Sequence, residues 1–513
     1  MHFLQIMVLI SGTLQLLACT LLLMQPTMAA LRILAVEPHP GKSHWNFMNG
    51  FLRSLTDVGH EVTAFTWFAE ETRENYTEIL LEGPSRLNMH VSKFMELRSL
   101  AAFMKFTVTS NRENCDYIFA HSKMKTILAD MSGEFDVLVV ESIGSECLSY
   151  LAHRLHLPLI YLFPSVMPYH MESLFLGEES NPAYVSNFMA SFVYPKSFPE
   201  RLSNFLTYKY GKFLLWYTET LSAKTNPKTY DSVEPVKPSV VFVNSHLVIE
   251  PAKPTLPTVI NIGGIHLREP RAIPNDIRDF IENSPNGVVY FSFGSITAMS
   301  SLPEHVQKSF KLALGRLPQR ILWKFETEME DKPENVMTRK WFPQRDILLH
   351  PNVKLYIGHG GMSGVYEAVD AGVPMLGFPI VSDQPRNIAS LVDAGMAITL
   401  DLMSVTETLI FDSADKLIND KKYLSNAKSV AKRFKDRPMS PAQAATYWTE
   451  YVVRHNGAQH LKSKAFNLTW YEYYLLDVLS AILISFSTIG YIIYTLLNVL
   501  CRRFLFKLKS KTE

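Results

Sequence analysis

Residues 340–387 read KWFPQRDILLHPNVKLYIGHGGMSGVYEAVDAGVPMLGFPIVSDQPRN, and this stretch decides the fold of the chain. Two short apolar runs, residues 355–358 and 375–378, predict buried strands. The segment between them opens with a glycine-rich turn and continues with a helical pattern. Strand, turn, helix and strand in this order predict one β-α-β unit of a parallel sheet.

A tryptophan and a glutamine, Trp341 and Gln344, stand at the start of this unit, before a predicted helix. A flat indole can stack on a nucleobase, and a glutamine amide can form hydrogen bonds with the base edge or a ribose. A core tryptophan beside a turn would have the same local sequence. The glycine-rich turn that follows favours the nucleotide-binding interpretation.

The turn His359-Gly360-Gly361 lies between the predicted strand and helix. Glycines let the backbone approach a ligand closely, and the first N–H groups of a helix attract phosphate. His359 and Gly361 are therefore candidates for contacts with a diphosphate. Ser363 and Glu367 share one face of the helix, where Glu367 can accept hydrogen bonds from two ribose hydroxyls; an ordinary solvated glutamate is the alternative.

Polar side chains also follow two other predicted strands. Asp383 and Gln384 come after the strand at 375–378, and a carboxylate beside an amide suits the hydroxyls of a sugar. Ser295 follows a predicted strand at 288–293, in a turn of small residues, and its hydroxyl can donate to a diphosphate. Ligands of open α/β sheets bind at the carboxyl ends of the strands, so we expect these residues around one cleft.

Apolar runs divide the chain into two similar halves, separated by a proline-rich linker at residues 250–257. The predicted fold class is therefore α/β, with a first domain at 30–250 and a second domain at 251–460. A last helix is predicted at 441–454. The predicted strands outside those already named lie at residues 31–36, 61–67, 135–140, 158–163 and 321–325.

Both ends of the 513-residue chain are hydrophobic. Residues 1–29 predict a cleaved signal peptide; the alternative is an uncleaved anchor, because the first residues carry no Lys or Arg. Residues 478–500 predict a transmembrane helix, and the basic tail at 501–513 places that flank in the cytosol and the body of the chain in a lumen. Lys509 and Lys511 match a dilysine signal for retrieval to the endoplasmic reticulum, although the same charges also serve as a stop-transfer flank.

Composition and single residues add further constraints. The formal net charge of +1 gives no basic face for nucleic acid, so no nucleic-acid partner is expected. Cys115 and Cys147 would lie in the oxidising lumen, where they can pair or remain two free thiols. The sequons at Asn75 and Asn467 are glycosylation acceptors if they are exposed there.

With these motifs in one unit, residues 341–384 resemble the signature of the UDP-glycosyltransferases. The resemblance implies the GT-B type of α/β fold, in which two Rossmann-like domains face a cleft and the helix at 441–454 crosses back to the first domain. It also implies that uracil stacks on Trp341, while Gln344 and Glu367 hold the nucleoside.

The remaining donor contacts follow from the same resemblance. Ser295, His359 and Gly361 would face the diphosphate, and Asp383 and Gln384 would face the sugar.

Two positions depart from the family pattern. The family has Thr or Ser where this chain has Gly358, and Asn is frequent where Ser363 stands. Both changes leave the backbone donors in place, so we expect tuned affinity rather than lost function.

The resemblance also indicates a catalytic pair in the first half. A histidine held by a carboxylate is a natural base for the attack of an acceptor hydroxyl. Residues 40–45 (PGKSHW) resemble the family's Gly-Ser-His segment, whose histidine is the base, and this indicates His44. Its partner would be Glu141, after the strand at 135–140, where many relatives have Asp and arthropod members also have Glu; Asp136 is the less favoured partner.

The implied reaction is an inverting transfer of a sugar from a UDP-sugar to a hydroxyl of a small lipophilic acceptor, of the kind used in detoxification. Similarity to arthropod members favours glucose, whereas vertebrate-like members would suggest glucuronate. The aromatic and methionine content of residues 165–223 predicts the acceptor pocket. The UDP-sugar is a co-substrate, and no metal or other cofactor is expected, because no Asp-x-Asp motif faces the site and no His/Cys cluster has ligand spacing.

Two alternatives stay open at this stage: a transferase for a lipid or protein acceptor, and a binding protein that keeps the nucleotide pocket without the chemistry. The presence of His44 and Glu141 beside a complete donor motif argues against the second. The expected partners are the UDP-sugar, the acceptor and the membrane; a homodimer or heterodimer is left open.

Overall fold

The structure is a computed structural model, and it divides by packing into two units. The larger unit runs to Phe175 and continues over Glu179–Leu461, and it contains both sheets of the protein. The smaller unit joins Leu176–Glu178 to the chain from Lys462 onwards. The described residues are 29–83, 89–130, 133–143 and 146–509.

The first sheet of the larger unit is entirely parallel. Its strands are β1 (Arg32–Val36), β2 (Glu61–Thr66), β3 (Tyr76–Leu80), β4 (Val137–Glu141), β5 (Leu159–Phe163), β6 (Val240–Val243) and β7 (Val259–Asn261). Their order in the sheet is β3-β2-β1-β4-β5-β6-β7. The order reverses between β1 and β4, and a crevice at the carboxyl ends of the strands is expected at such a reversal.

Helices connect these strands, and the packing of the first helix, α1, on the sheet follows from its apolar face. They are α1 (Lys42–Thr56), α2 (Val91–Glu96), α3 (Leu100–Ala120), α4 (Ser122–Asp130), α5 (Ser149–Leu155), α6 (Tyr169–Leu176) and α7 (Phe198–Thr225). The apolar face of α1 places Trp45, Phe47 and Phe51 in the core beside residues of β1 and β4. This burial orients the first turn of α1 towards the carboxyl edge of the sheet.

The second sheet repeats the same architecture. Its strands are β8 (Val288–Ser292), β9 (Arg320–Lys324), β10 (Val336–Arg339), β11 (Val353–Gly358), β12 (Met375–Gly377) and β13 (Ala397–Thr399). The order is β10-β9-β8-β11-β12-β13, and all the pairs are parallel. The order therefore reverses between β8 and β11, as it does between β1 and β4, and each half has a Rossmann-like arrangement.

The helices of the second half follow its strands, and their core is aromatic. They are α8 (Asn275–Glu282), α9 (Glu304–Gly315), α10 (Gln344–Leu348), α11 (Met362–Ala371), α12 (Gln384–Asp393), α13 (Glu407–Asn419) and α14 (Lys421–Lys435). Phe291 stacks on Trp323 with ring centroids 4.7 Å apart, and Phe310 from α9 packs on both. Helix α11 ends at Gly372, which has a φ of 65°.

The last helix of the larger unit, α15 (Pro441–Arg454), returns to the first half as predicted. It starts with a capping box between Ser440 and Gln443. Thr446 Oγ1 donates to the carbonyl of Ser54 on α1 at 3.2 Å. The second half is therefore followed by a helix that closes against the first.

The change from the first sheet to the second lies later than the predicted boundary at residue 251. β7, at Val259–Asn261, comes after the proline-rich segment 250–257 and still pairs with β6. The proline-rich segment is therefore a connection inside the first half, and its prolines, which lack N–H groups, keep it out of the sheet. The chain changes sheet between β7 and β8.

The smaller unit contains the short helix α16 (Trp470–Tyr473) and the long helix α17 (Leu476–Lys509). The part of α17 from Leu476 to Leu505 is long and apolar enough to cross a membrane, and its side chains are exposed. It contains the predicted span at 478–500.

The structure also bears on the remaining predictions for single residues. Cys115 and Cys147 form a disulfide rather than remaining two free thiols. Asn75 and Asn467 are both exposed. The predicted signal peptide, up to residue 28, and the tail after Lys509 lie outside the described residues.

Candidate active site

A cavity of about 320 Å³ lies where the carboxyl ends of the two sheets meet within the larger unit. Its wall comes from both halves: His44 belongs to the first, and Ser295 and Glu367 belong to the second. Of the donor and base residues predicted from the sequence, those that border the cavity are His44, Ser295, Trp341, Gln344, His359, Gly361, Ser363, Glu367, Asp383 and Gln384. Glu141 lies behind His44.

His44 and Glu141 come from the two strands at which the first sheet reverses. His44 stands in the first turn of α1, after β1, and Glu141 is the last residue of β4. Nδ1 of His44 lies 2.6 Å from Oε1 of Glu141. A proton on Nδ1 that is held by the carboxylate leaves Nε2 of the imidazole as the basic atom.

Burial decides the electrostatics of this pair. Glu141 is 1% exposed, and its burial raises the pKa of the carboxyl to about 8. His44 keeps about a fifth of its side chain exposed, at 22%. The imidazole can therefore reach a ligand while its partner stays away from solvent.

The loop that carries His44 is held by local contacts. The ring of His39 stacks on that of His44 with centroids 4.2 Å apart. A Cβ added at Gly41 would lie 2.9 Å from Nδ1 of His39, so the stack needs a glycine there. Lys42 binds Glu70 at 3.0 Å, which ties the start of α1 to the loop after β2.

Asp136, the less favoured partner, and His60, another histidine of the first half, have contacts elsewhere. Asp136 accepts hydrogen bonds from Arg32, including one of 2.8 Å from its backbone N–H, at the amino end of the sheet. His60 lies 3.3 Å from Glu450 on α15. Neither residue borders the cavity.

The nucleoside contacts predicted in the second half lie together. Trp341 is 60% exposed at the cavity wall, between β10 and α10. Gln344, the first residue of α10, donates from Nε2 to Oε2 of Glu367 on α11. Burial raises the pKa of Glu367 to about 7, and the hydrogen bond from Gln344 opposes that rise. A flat ring, an amide and a carboxylate thus border the same cavity, and a base and ribose require such groups.

The glycine-rich turn follows β11 at the reversal of the second sheet. Gly360 has a φ of 85°, and Gly361 caps the amino end of α11. A Cβ on Gly361 would lie 2.5 Å from Nε2 of His359, and a Cβ on Gly294 would lie 2.8 Å from Cε1 of the same ring. The backbone therefore approaches the imidazole of His359 closely at two places: at Gly361 on the same turn, and at Gly294 after the neighbouring strand β8. Glycine allows this close approach because it has no side chain.

His359 is neutral in this position. Burial, together with the charge of Lys324, lowers its pKa to about 4. The imidazole therefore contributes one N–H donor rather than a positive charge. Ser295, in the turn after β8, borders the same part of the cavity.

The loop after β12 carries the predicted sugar contacts. Oε1 of Gln384 accepts from the backbone N–H groups of Ile380 and Val381, at 2.8 and 3.0 Å, and this fixes the loop. The amide nitrogen of Gln384 is then its donor towards a ligand. Asp383 is 9% exposed, and burial raises the pKa of its carboxyl.

Asn387 connects this loop to the glycine-rich turn. Its Nδ2 donates to the carbonyl of Gly360 at 3.0 Å and to Oδ2 of Asp383 at 2.9 Å. The diphosphate and sugar parts of the predicted donor site are therefore held at a fixed spacing. Sequence reasoning did not single out Asn387, although a polar residue at a helical position just after Asp383 is the signal.

The acceptor side differs from its prediction. Of residues 165–223, the wall includes Ser165, Pro168, His170, Met171 and Phe188, while α7, which is described in full, contributes none. The greater part of the apolar wall comes from α2, the residue that follows it and α3: Phe94, Leu97, Phe103, Met104, Phe106 and Val108.

Two charged residues near the site were also missed. Glu37 follows β1 and is fully buried, and Lys324 ends β9 at 5% exposure. Lys324 borders the cavity and binds Glu326 at 2.9 Å. Both are polar residues at the carboxyl end of a buried strand, which is the signal that identified Glu141.

Comparison with known families and proteins agrees with this geometry. The model of the family described as UDP-glucoronosyl and UDP-glucosyl transferase matches residues 33–512. UDP-glucosyltransferase 2 of Dactylopius coccus is 35% identical over 93% of this chain and 95% of its own length. UDP-glucuronosyltransferase 2B13 of Oryctolagus cuniculus is 31% identical over 88% of this chain and 90% of its own.

Solved structures show the fold. A UDP-glucose: anthocyanidin 3-O-glucosyltransferase in complex with UDP has a TM-score of 0.57 and 16% identity, over 83% of this chain and all of its own. LpCGTa in complex with UDP has a TM-score of 0.55 and 18% identity, with the same coverage. The fold is therefore GT-B, and by its sequence the chain belongs to the UDP-glucuronosyl and UDP-glucosyl transferase family of enzymes, which transfer a sugar from a UDP-sugar to an acceptor.

Proposed function

We propose that this enzyme transfers glucose from UDP-glucose to a hydroxyl of a small lipophilic acceptor, with inversion at the anomeric carbon and with His44 as the general base. The observation that carries the proposal is the hydrogen bond of 2.6 Å between His44 and Glu141, at the wall of a cavity whose other side carries Trp341 and the glycine-rich turn. A base and a nucleotide site facing one space are what a single displacement requires.

In the proposed step, Nε2 of His44 takes the proton of the acceptor hydroxyl. The acceptor oxygen forms its bond to the anomeric carbon while the bond from that carbon to the UDP oxygen breaks. Glu141 holds Nδ1–H and stabilises the imidazolium that forms. Attack from the face opposite UDP gives a β-glycoside from an α-linked donor.

The leaving diphosphate takes the electron pair of the broken bond, and the second half is arranged to accept that charge. The backbone N–H groups at the start of α11, the neutral His359 and the hydroxyl of Ser295 can all donate to it. Lys324 adds a positive charge at the same wall. These donors are set before the reaction, so little reorganisation is needed.

The acceptor class follows from the wall of the first half. Phe94, Phe103 and Phe106 make it apolar, and Met104 and Met171 make it adaptable. A volume of about 320 Å³ fits a small molecule, because ligand pockets commonly measure about 300–1,000 Å³. A small phenol or alcohol with a largely apolar body is the proposed acceptor.

Glucose is the proposed sugar for two reasons. The Dactylopius relative that bears the name of a glucosyltransferase is 35% identical, whereas the rabbit glucuronosyltransferase is 31% identical. Asp383 adds a buried carboxyl where the sugar is expected. Such a group favours the hydroxyls of glucose over the carboxylate of glucuronate, because two acids side by side repel each other.

We also propose that the enzyme is anchored in the membrane of the endoplasmic reticulum, with its body in the lumen. The support is the apolar helix from Leu476 to Leu505, the basic tail and the hydrophobic first 29 residues. The disulfide between Cys115 and Cys147 suits an oxidising lumen. Asn75 and Asn467 are then available for glycosylation.

The test measures UDP release from microsomes that contain the chain or its His44→Ala variant. UDP-glucose, UDP-glucuronate and UDP-galactose are offered separately against a panel of phenols, and the product is analysed for its anomeric configuration. We expect release with UDP-glucose, formation of a β-glucoside, and a loss of about 10²–10⁴-fold in the variant, the range of general base catalysis.

His60→Ala serves as the matched control, because His60 is a buried histidine of the same half that does not border the cavity. Transfer from UDP-glucuronate alone would show that the transferred sugar is glucuronate and not glucose. Release that survives in His44→Ala would reject the base. UDP binding without release from any donor would favour a protein that keeps the site but not the chemistry.

A further inference from the structure

A second buried carboxyl stands directly beside Glu141. β1 and β4 are neighbours in the sheet, and Val36 lies opposite Val140. The next residue on each strand is a glutamate, so Glu37 and Glu141 leave the sheet side by side at the point where its order reverses. Glu37 is 0% exposed and Glu141 is 1% exposed.

Each carboxyl has one oxygen that is already bound. Oε1 of Glu37 accepts from the backbone N–H of His39 at 2.8 Å, and Oε1 of Glu141 binds Nδ1 of His44 at 2.6 Å. The Oε2 atom of each is buried, and neither receives an N–H or O–H from any other described residue. The two carboxyls lie close enough for the charge of Glu141 to act on Glu37. One proton between them would satisfy both oxygens.

The charges around the pair do not allow two carboxylates. The titratable groups that face Glu37 are His39 on its own loop, His44 on α1 and Glu141 on β4. Asp383, from the second half, adds a further negative charge near His44. One imidazole cannot neutralise two adjacent buried carboxylates, so the pair retains a proton at neutral pH.

The environment also indicates which carboxyl carries that proton. Burial raises the pKa of Glu37 well above its ordinary value, and the charge of Glu141 raises it further. Burial raises the pKa of Glu141 as well, but the hydrogen bond from Glu37 lowers it. Glu141 is therefore the more easily ionised of the two.

We propose that Glu37 is a positioning residue of the transferase: it stays protonated and donates a hydrogen bond to Glu141, which favours the ionised form of Glu141 as the partner of His44. This inference rests on the proposed function of His44 as the base. It adds a third member to the pair, in the order Glu37–Glu141–His44. It gives a deeply buried glutamate a donor that makes its ionised form, which an imidazolium needs as a partner, easier to reach.

The experiment compares two variants of Glu37 in the full-length chain. Glu37→Gln keeps the shape and both hydrogen bonds, because the amide nitrogen donates to Glu141 while the amide oxygen accepts from His39. Glu37→Leu has a similar size and cannot donate. The measured quantity is kcat/KM for UDP-sugar transfer as a function of pH, and Trp341 fluorescence with UDP reports that the site is folded.

We expect Glu37→Gln to keep kcat/KM within about threefold of the wild type, with the acid limb of the pH profile in the same place. In Glu37→Leu, the acid limb should move up by about one pH unit or more, because Glu141 loses the donor that lowers its pKa. A merely structural role would reduce kcat/KM at all pH values without moving that limb.

The proposal is overturned if Glu37→Gln is as damaged as Glu37→Leu, or if the acid limb of Glu37→Leu does not move. If Glu37→Leu does not fold, a second measurement still tests the proposal. The infrared difference between wild type and Glu37→Gln at neutral pH should show one protonated carboxyl in the wild type, and its absence would also overturn the proposal. This band does not need turnover, so a wild type that transfers no sugar would reject the proposed function while leaving Glu37 testable.

Discussion

Trp341 is 60% exposed, whereas Trp323 of the same half is 1% exposed and stacks on Phe291 in the core. A large aromatic ring gains little for stability when most of it faces solvent, so its position at the cavity wall indicates a ligand contact. The sequence alone allowed either a core tryptophan or a base-stacking one. The exposure of the indole distinguishes the two.

Replacement of Trp341 by Ala should therefore weaken UDP binding without destabilising the protein. We expect a loss of about 1–3 kcal/mol in binding free energy, the usual value for stacking of one base on an aromatic ring. Titration of UDP by calorimetry measures this loss, and the temperature of unfolding should hardly change. Trp341→Phe should keep most of the affinity. An unchanged dissociation constant in Trp341→Ala would exclude the stacking role.

Glu367 predicts a pH dependence of donor binding. Burial raises its pKa to about 7 in the free protein, and the ionised carboxylate is the form that accepts hydrogen bonds from two ribose hydroxyls. Raising the pH through that value increases the ionised fraction. The affinity for UDP-glucose should therefore rise by up to about tenfold between one unit below and one unit above the pKa.

The matched variant for this prediction is Glu367→Gln, in which the amide does not titrate. Its affinity should be lower than that of the wild type at alkaline pH and should change little with pH. Fluorescence titrations with UDP-glucose across this range provide both curves. Parallel curves for the two proteins would show that another group controls the pH dependence.

Of the residues that sequence reasoning missed, Glu37 depends most on strand pairing. His44, Glu141 and the donor residues stand in motifs, so residue type and spacing identify them. Glu37 has no motif, and its role appears only when the register places Val36 opposite Val140. Contacts between residues that are far apart in the sequence depend on which strands pair. The apolar runs predict the strands themselves but not their partners in the sheet.

At the scale of elements, the amino end of α11 depends on close approach of the backbone to His359. Gly361 has a φ of −62°, which any residue can adopt, so only the contact of 2.5 Å between a new Cβ and Nε2 of His359 opposes a side chain there. Gly361→Ala should displace the imidazole while leaving the helix intact. We expect UDP affinity to fall by about tenfold, the equivalent of one lost hydrogen bond of about 1.4 kcal/mol.

Gly315→Ala is the control for this substitution, because its new Cβ would meet Pro333 at 3.3 Å, at the end of α9 and away from the cavity. It should bind UDP as the wild type does. The comparison uses the dissociation constant of UDP and the temperature of unfolding for both variants. Normal UDP affinity in Gly361→Ala would mean that the amino end of α11 does not hold the diphosphate.

Burial made strands easier to predict from the sequence, although β6, which is buried at each of its four residues, was missed. The eight predicted strands all form, with ends within two residues of their expected positions. β4 and β5 are buried at every residue, and such strands read as continuous apolar runs. β3 lies at the edge of its sheet, and none of its residues is fully buried, so its sequence, YTEIL, gives no such run. The structure adds five strands. β3, β7, β10 and β13 are edge strands, and β6 has only four residues.

The acceptor wall was the part of the site that the sequence predicted least well. α3 carries polar residues and Thr along most of its length, LAAFMKFTVTSNRENCDYIFA, so it has no clear apolar stripe. It nevertheless supplies Phe103, Met104 and Phe106 to the cavity. A helix that faces a ligand space on one side and the core on another does not show the simple pattern of a helix packed on a sheet.

At the scale of the whole molecule, the two halves of the larger unit are joined by buried contacts as well as by the chain. Arg386 on α12 is 2% exposed; it forms an ion pair with Glu250 and donates from Nε to Oγ of Ser186 at 2.9 Å. Arg386 follows Gln384 by two residues, so it fixes the sugar loop of the second half against the first.

Loss of one partner of this pair should therefore destabilise the protein. Arg386→Leu leaves Glu250, whose side chain is 13% exposed, without its cation, and the loss should approach the cost of about 3–5 kcal/mol for breaking a buried pair. The double variant Arg386→Leu/Glu250→Leu removes the unpaired charge, so it should lose less than the sum of the two single variants. Arg316→Leu is the control, because its pair with Glu407 is exposed and should contribute at most about 1 kcal/mol. Denaturant unfolding of the four variants measures these costs. Equal losses in Arg386→Leu and Arg316→Leu, or strict additivity in the double variant, would show that the buried pair does not hold the two halves together.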